Sequence, residues 1–157
     1  MDSPIKETAF IENVIEAAKS VFSMMAGMDI ENGDISKEDK TRADVTGIIG
    51  LSNDRVKGSI AISFPDKVGR KAVSNMLSLK EEEITEEDLK DGIGEITNMI
   101  AGEINNRMGN IFRLSLPSVI TGKDHIISFS NKGLPMLFQF KITEDEKFYL
   151  LSTFEEK

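Results

Sequence analysis

The chain has 157 residues, of which 39% are hydrophobic and 29% charged, a balance typical of a folded globular protein and unlike disordered or fibrous sequences. A net charge of −8 leaves no excess of Lys and Arg to neutralise phosphates, so nucleic acid and acidic membrane surfaces are not expected partners. There is no cysteine, which excludes disulfides, thiolate metal sites and cysteine nucleophiles and fits a cytoplasmic location.

The length suits one domain spanning 1–157. The N-terminal "MDSPIKETAF" lacks a basic region followed by an apolar run, and no stretch approaches the ~20 apolar residues of a membrane span, so no membrane insertion is expected. With one histidine and one tyrosine, chemistry must come from carboxylates, amides, hydroxyls or a partner.

Phe10, Val14, Ala18, Val21, Phe22 and Met25 recur at helical spacing, which predicts an amphipathic helix over 6–27 that ends near Gly27. Its polar face is not basic, so it should pack on a core and not on lipid. The following "DIENGDISKEDKT" reads as a solvated loop. Its acids do not form a calcium loop, because glycine is not sixth from Asp29 and Lys40 stands where the closing Glu should be.

"ADVTGIIGLS" and "VKGSIAISF" are β-branched runs separated by Asn53 and Asp54, which predicts an antiparallel hairpin. Pro65 and Asp66 open a helix through "KVGRKAVSNMLSL". "KEEEITEED" is a solvated charge run, within which Thr85 and Asp88 form a capping box with Asp in place of Glu or Gln. A long helix should start there and run over about 85–113. After Pro117 come four short apolar runs, "SVIT", "HIISFS", "MLFQFKI" and "FYLLSTF", with turns at "NKGLP" and "TEDE". The predicted fold class is α+β, an antiparallel β-sheet with helices packed on one face.

The long helix carries the most informative pattern, "DGIGEITNMIAGEINNRMG". At about 100° per residue from Asp91, the residues Glu95, Asn98, Gly102, Asn105 and Gly109 fall within about 40° of one line, while Ile93, Ile96, Ile100, Ile104 and Ile111 centre on the opposite side. The isoleucines are core. The polar stripe contains no Lys or Arg, unlike the Glu–Lys pairs of an ordinary solvated helix. It also tolerates Gly102 and Gly109, each costing about 1 kcal/mol relative to Ala in a helix interior. Such glycines leave room for something to approach closely.

Glu95 and Asn98, three apart, are neighbours pointing the same way. A carboxylate can hold a partner's cation, and a carboxamide can orient a water without being consumed, which suits hydrolysis of a phosphoryl group held elsewhere. On the pattern alone, however, the stripe also reads as solvated surface, since E-x-x-N is common and Glu103 with Asn106 repeats it.

"DGIGEITN", Asp91 to Asn98, resembles the signature of the CheC/CheX/FliY phosphatases of bacterial chemotaxis: Asp or Ser, three residues, Glu, two residues, Asn. The order of elements along nearly the whole chain is most similar to the CheX branch. The resemblance implies that Glu95 and Asn98 are catalytic, dephosphorylating a CheY-type response regulator, with Glu95 pairing with the regulator's lysine and Asn98 orienting the attacking water. It implies no metal on this chain, since the magnesium ion would belong to the regulator, and a homodimer formed through the sheets. Gly102 and Asn105 would be partner-binding; for Asp91, partner binding and helix stabilisation are equal readings. The signature selects Glu95 and Asn98 over Glu103, which has Met99 where Asp or Ser belongs. The first helix has Glu12 followed by Ile15, so a second site is not expected, as in CheX. The nearest residue to the signature's proline is Pro117, with 18 residues between it and Asn98, fewer than the pattern has.

The alternative is a non-enzymatic regulator-binding or flagellar-switch adaptor of the same fold. His125 reads as a strand-end residue, and the methionines as core filler, with Met99 bordering the polar stripe. Ser115 and Ser118 have no histidine at a motif spacing and are not read as nucleophiles.

Overall fold

The computed structural model describes residues 6–129 and 133–157. Its first helix, α1 (Glu7–Ala26), buries Phe10, Val14, Ala17, Ala18, Val21 and Phe22 on one stripe. Gly27 closes it in the left-handed region at φ 60, where its N–H and that of Met28 donate to the Ser23 and Phe22 carbonyls.

The segment predicted as a solvated loop is instead strand β1 (Glu31–Ser36), paired antiparallel with a later strand, Leu134–Thr143. The expectation failed because an edge strand is held by backbone bonds and carries few buried side chains to betray it. The predicted hairpin is present as β2 (Lys40–Ser52) and β3 (Val56–Phe64). Asn53 makes the turn, with Oδ1 accepting from the N–H groups of Arg55 and Val56 at 2.9 Å each.

Helix α2 (Asp66–Leu77) follows Pro65, an exposed 3₁₀ turn occupies Glu81–Glu83 within the charge run, and α3 spans Glu86–Arg107. The capping box forms: Thr85 Oγ1 accepts from Asp88 N at 3.0 Å, and Asp88 Oδ2 from Thr85 N at 3.1 Å. The helix stops at Arg107, short of the expected 113, because Gly109 (φ 88) and Asn110 (φ 57) turn the chain in left-handed conformations.

Beyond it lie β4 (Arg113–Leu114), β5 (Ser118–Ser128), β6 (Leu134–Thr143) and β7 (Glu146–Glu156). "SVIT" and the first four residues of "HIISFS" are thus one strand, interrupted by an irregularity opposite Asp44 where Asp124 takes φ 57, and Ser130 lies outside the described residues. The "TEDE" turn joins β6 and β7, whereas Asn131 and Lys132 of "NKGLP" lie outside the described residues.

The sheet is antiparallel in the order β1-β6-β7-β3-β2-β4, with β5 also paired to β2. All three helices pack on one face, giving the α+β architecture. Between them a phenylalanine stack fills the core, Phe148 lying 4.8 Å from Phe22, 4.9 Å from Phe64 and 5.2 Å from Phe140 between ring centroids. A smaller cluster of Ala61, Ile127, Leu137 and Leu151 packs separately. Among the described residues, no helix is long and apolar enough to cross a membrane.

Asp44 ties the strand irregularity to α2. Its two oxygens accept the N–H groups of Asp124 and Asp66, each at 2.8 Å, and so supply the start of α2 with the acceptor that Pro65 lacks. Those bonds hold its carboxyl below the usual range, aided by nearby His125 and Lys123. A depressed folded pKa gives stability that is present above the unfolded value, about 3.9, and is lost as pH falls through the folded one. Asp44→Ala should therefore cost about 1–2 kcal/mol at pH 7 in denaturant unfolding. The difference from wild type should shrink as pH falls below about 4.

Candidate functional site

The site is built on α3, and its precision begins with how closely that helix is seated. Ile93, Ile96, Ile100 and Ile104 are fully buried. At Gly47 in β2 an ideal Cβ would stand 1.9 Å from Thr97 Oγ1, so the glycine is what lets the helix lie directly on the strand. Thr97 is itself buried and donates to the Ile93 carbonyl at 2.7 Å. Gly92 meets Val73 in the same way, with a Cβ there 2.5 Å from Val73 Cγ2. Neither Gly47 nor Thr97 was singled out from the sequence, although a lone glycine inside a strand pattern is a signal of close approach.

With its apolar side fixed, α3 leaves Asp91, Glu95 and Asn98 exposed along one line. None of the three has a side-chain hydrogen bond or ion pair with another described residue. The rival pair is engaged: Glu103 binds Arg107 at 3.0 Å, and Asn106 Oδ1 accepts from Asn110 at 3.4 Å. Asp91 lies beyond the first turn, where Glu86, Glu87 and Asp88 already meet the helix dipole, so the dipole gives little account of it.

Gly102 is half-buried, and a Cβ there would meet nothing within 4 Å. Nothing among the described residues requires this glycine. Gly102→Ala should accordingly raise stability by up to about 1 kcal/mol, read as a higher unfolding midpoint; an unchanged or lower midpoint would reveal an internal role.

Two residues depart from the expected stripe. Asn105 is buried, 7% exposed, and its carboxamide bonds both backbone groups of Phe112, donating to the carbonyl at 2.9 Å and accepting from the N–H at 3.0 Å. It is a closing residue for the helix end, not part of the exposed line, since Phe112 is drawn into the core and its backbone needs partners. Gly109 belongs to the following turn, and Ile111, expected among the core isoleucines, is 48% exposed for the same reason.

The exposed line offers two acceptors with negative charge and one neutral amide that both donates and accepts. It can grip a cation and hold a water. Among the described residues no group of three His, Asp or Glu stands close enough to hold a metal ion. His125, within β5, has Nε2 at 2.8 Å from Thr46 Oγ1 and Nδ1 at 2.7 Å from the Gly122 carbonyl; both ring nitrogens serve the sheet.

A family model described as chemotaxis phosphatase CheX matches residues 45–141, which include all of α3. The chain is similar to a CheC-like superfamily protein from Shewanella sp. PV-4, at 30% identity and a TM-score of 0.85, covering 94% of this chain and 97% of that one. It is similar to a chemotaxis protein CheX from Desulfovibrio desulfuricans, at 29% identity and a TM-score of 0.83, covering 93% and 99%. The fold is also shared with the CheX of a CheX–CheY–BeF3–Mg complex from Borrelia burgdorferi, at 23% identity and a TM-score of 0.77, covering 94% and 98%. No curated protein matches the chain.

Proposed function

Because this chain belongs to the CheX family of chemotaxis phosphatases, we propose that it hydrolyses the aspartyl-phosphate of a CheY-type response regulator, with the exposed face of α3 entering the regulator's phosphorylation site. The observation that carries this reading is that Glu95 and Asn98 are exposed, adjacent and, among the described residues, without partners on a helix locked to the sheet. A side chain with no internal duty on a rigid element is suited to an external one.

In this mechanism the Glu95 carboxylate pairs with the regulator's lysine beside the phosphoryl group. The Asn98 amide holds a water in line with phosphorus. The water oxygen bonds to phosphorus, the bond from phosphorus to the aspartyl oxygen breaks, and the products are the free carboxylate and inorganic phosphate. Asn98 gains and loses no proton overall, so its role is orientation, the main resource of phosphoryl-transfer enzymes. The magnesium ion that balances phosphoryl charge would sit in the regulator, whose cytoplasmic location this chain would share.

Asp91 would flank the lysine contact, and the bare backbone at Gly102 would let the regulator approach. Gly102→Ala should thus weaken regulator binding even as it stabilises the fold. Asn105 pins the end of α3 to the returning chain. Two copies would associate through their sheets. A gel-filtration mass equal to the monomer would contradict that pairing.

The proposal is tested by titrating this protein against a CheY-type regulator loaded with beryllofluoride and magnesium. Wild type should bind the loaded form in preference to the unloaded one, and Glu95→Ala should weaken that binding about thirtyfold or more, as loss of one member of a desolvated charge pair does. Equal affinity of Glu95→Ala and wild type would remove the carboxylate from the mechanism.

A further inference from the structure

The chain after α3 runs back beside it. Asn105 grips Phe112 at one end of this return, and at the other Val119 Cγ2 lies 3.4 Å from where a Cβ on Gly94 would stand. Residues 113–118 therefore lie alongside the helix at the level between Gly94 and Asn105, the level of Asn98 and Gly102.

The same segment is an edge of the sheet, and it contains an irregularity. Leu114 pairs with Leu51 and Ser118 with Ile48, so residues 115–117 stand opposite only Ile49 and Gly50. Ser115 stays on the ladder, its N–H donating to the Gly50 carbonyl at 2.9 Å and its Oγ accepting from Gly50 N at 2.8 Å. The extra residue is displaced outwards, as in a β-bulge, a device that re-aims side chains at sheet edges. Leu116 is the side chain so displayed. It is 89% exposed, more than any other large hydrophobic among the described residues. Pro117 follows, with no N–H to offer, and blocks another strand from joining the ladder here.

A solitary exposed leucine needs no explanation. A bulge that lifts one from an edge closed to strand pairing, at the level of the exposed Asn98 on the neighbouring helix, does. We infer that Leu116 is an apolar docking anchor for the response regulator, at the rim of the face that carries Glu95 and Asn98. This rests on the phosphatase reading and deepens it by adding a contact that serves affinity, not chemistry. The occupant follows from position. Once α3, a cylinder about 10–12 Å across, enters the regulator, a neighbouring chain lies well within the roughly 800 Å² that each partner covers in a standard interface. A second copy of this chain is disfavoured there, because it would cover Asn98.

The test is steady-state hydrolysis of phosphorylated regulator by wild type, Leu116→Ser and Leu116→Met, together with binding to the beryllofluoride-loaded regulator. Leu116→Ser should raise the half-saturating concentration about tenfold, as loss of a buried leucine contact implies, and weaken binding equally, with turnover at saturation within about twofold of wild type. Leu116→Met should restore both. Folding is not at stake at so exposed a position. Wild-type affinity in Leu116→Ser would overturn the inference, and so would a shift in its gel-filtration mass, which would give the leucine to a second copy. If wild type itself hydrolyses nothing, the phosphatase reading has failed, and the binding arm still decides the place of Leu116.

Discussion

Asn98→Ala is expected to bind the phosphorylated regulator and leave its phosphoryl group in place. The side chain is exposed and bonds to no described residue, so removing it leaves no buried group unsatisfied. Alanine is also the better helix former, so the thermal midpoint should not fall. What is lost is the group that holds water in line. Removal of one well-placed polar group from a reacting centre costs roughly 100- to 1,000-fold in rate. The expected result is that loss in single-turnover hydrolysis, with affinity for beryllofluoride-loaded regulator within about threefold of wild type. Loss of binding in parallel with hydrolysis would mean that Asn98 grips the partner, and the division of labour between it and Glu95 would be wrong.

The second large effect is expected far from the regulator, at Gly47→Ala. The added Cβ would lie 1.9 Å from Thr97 Oγ1 and 2.8 Å from Thr97 Cβ. Thr97 has no slack to give, being fully buried and bonded back to Ile93 in the preceding turn. The helix must therefore lift from β2. Overpacking of this kind costs about 1–3 kcal/mol, which for a chain of this length lowers the thermal midpoint by roughly 2–12 °C. Activity should fall further than stability alone explains, because a displacement of about 1 Å at positioned groups can cost around 100-fold. Thr97→Ala in the same chain should recover part of the stability, since it removes the Oγ1 and Cγ2 clashes and leaves only the Cβ contact at 2.8 Å. A Gly47→Ala protein with wild-type stability and turnover would show that the close seating of α3 is unimportant to the site.

The sequence carried the site further than it carried the sheet. Isoleucines at helical spacing, a capping box at Thr85 and Asp88, and a stripe without Lys or Arg placed α3 and its exposed line, because each is a local rule acting within one turn. The end of α3 was not local. It depends on Asn105 reaching Phe112 seven residues on, and an asparagine looks the same in sequence whether it faces solvent or closes a turn. β1 was hidden because its pattern is polar and its pairing with β6 is made by backbone. β5 read as two pieces because the residues around Asp124 interrupt its alternation, and their clamp, Asp44, lies on another strand. The bulge at Leu116 was equally invisible, since it exists only by counting against β2.

The central claim, catalysis by this chain, is tested most directly by following the decay of phosphorylated CheY-type regulator from the same organism with this protein present at a small fraction of the regulator's concentration. Many regulator molecules should be dephosphorylated per molecule of this protein, at a rate well above spontaneous decay. Decay at the spontaneous rate, with binding to the phosphorylated form intact, would contradict it and make the chain an adaptor that grips the same partner with the same helix.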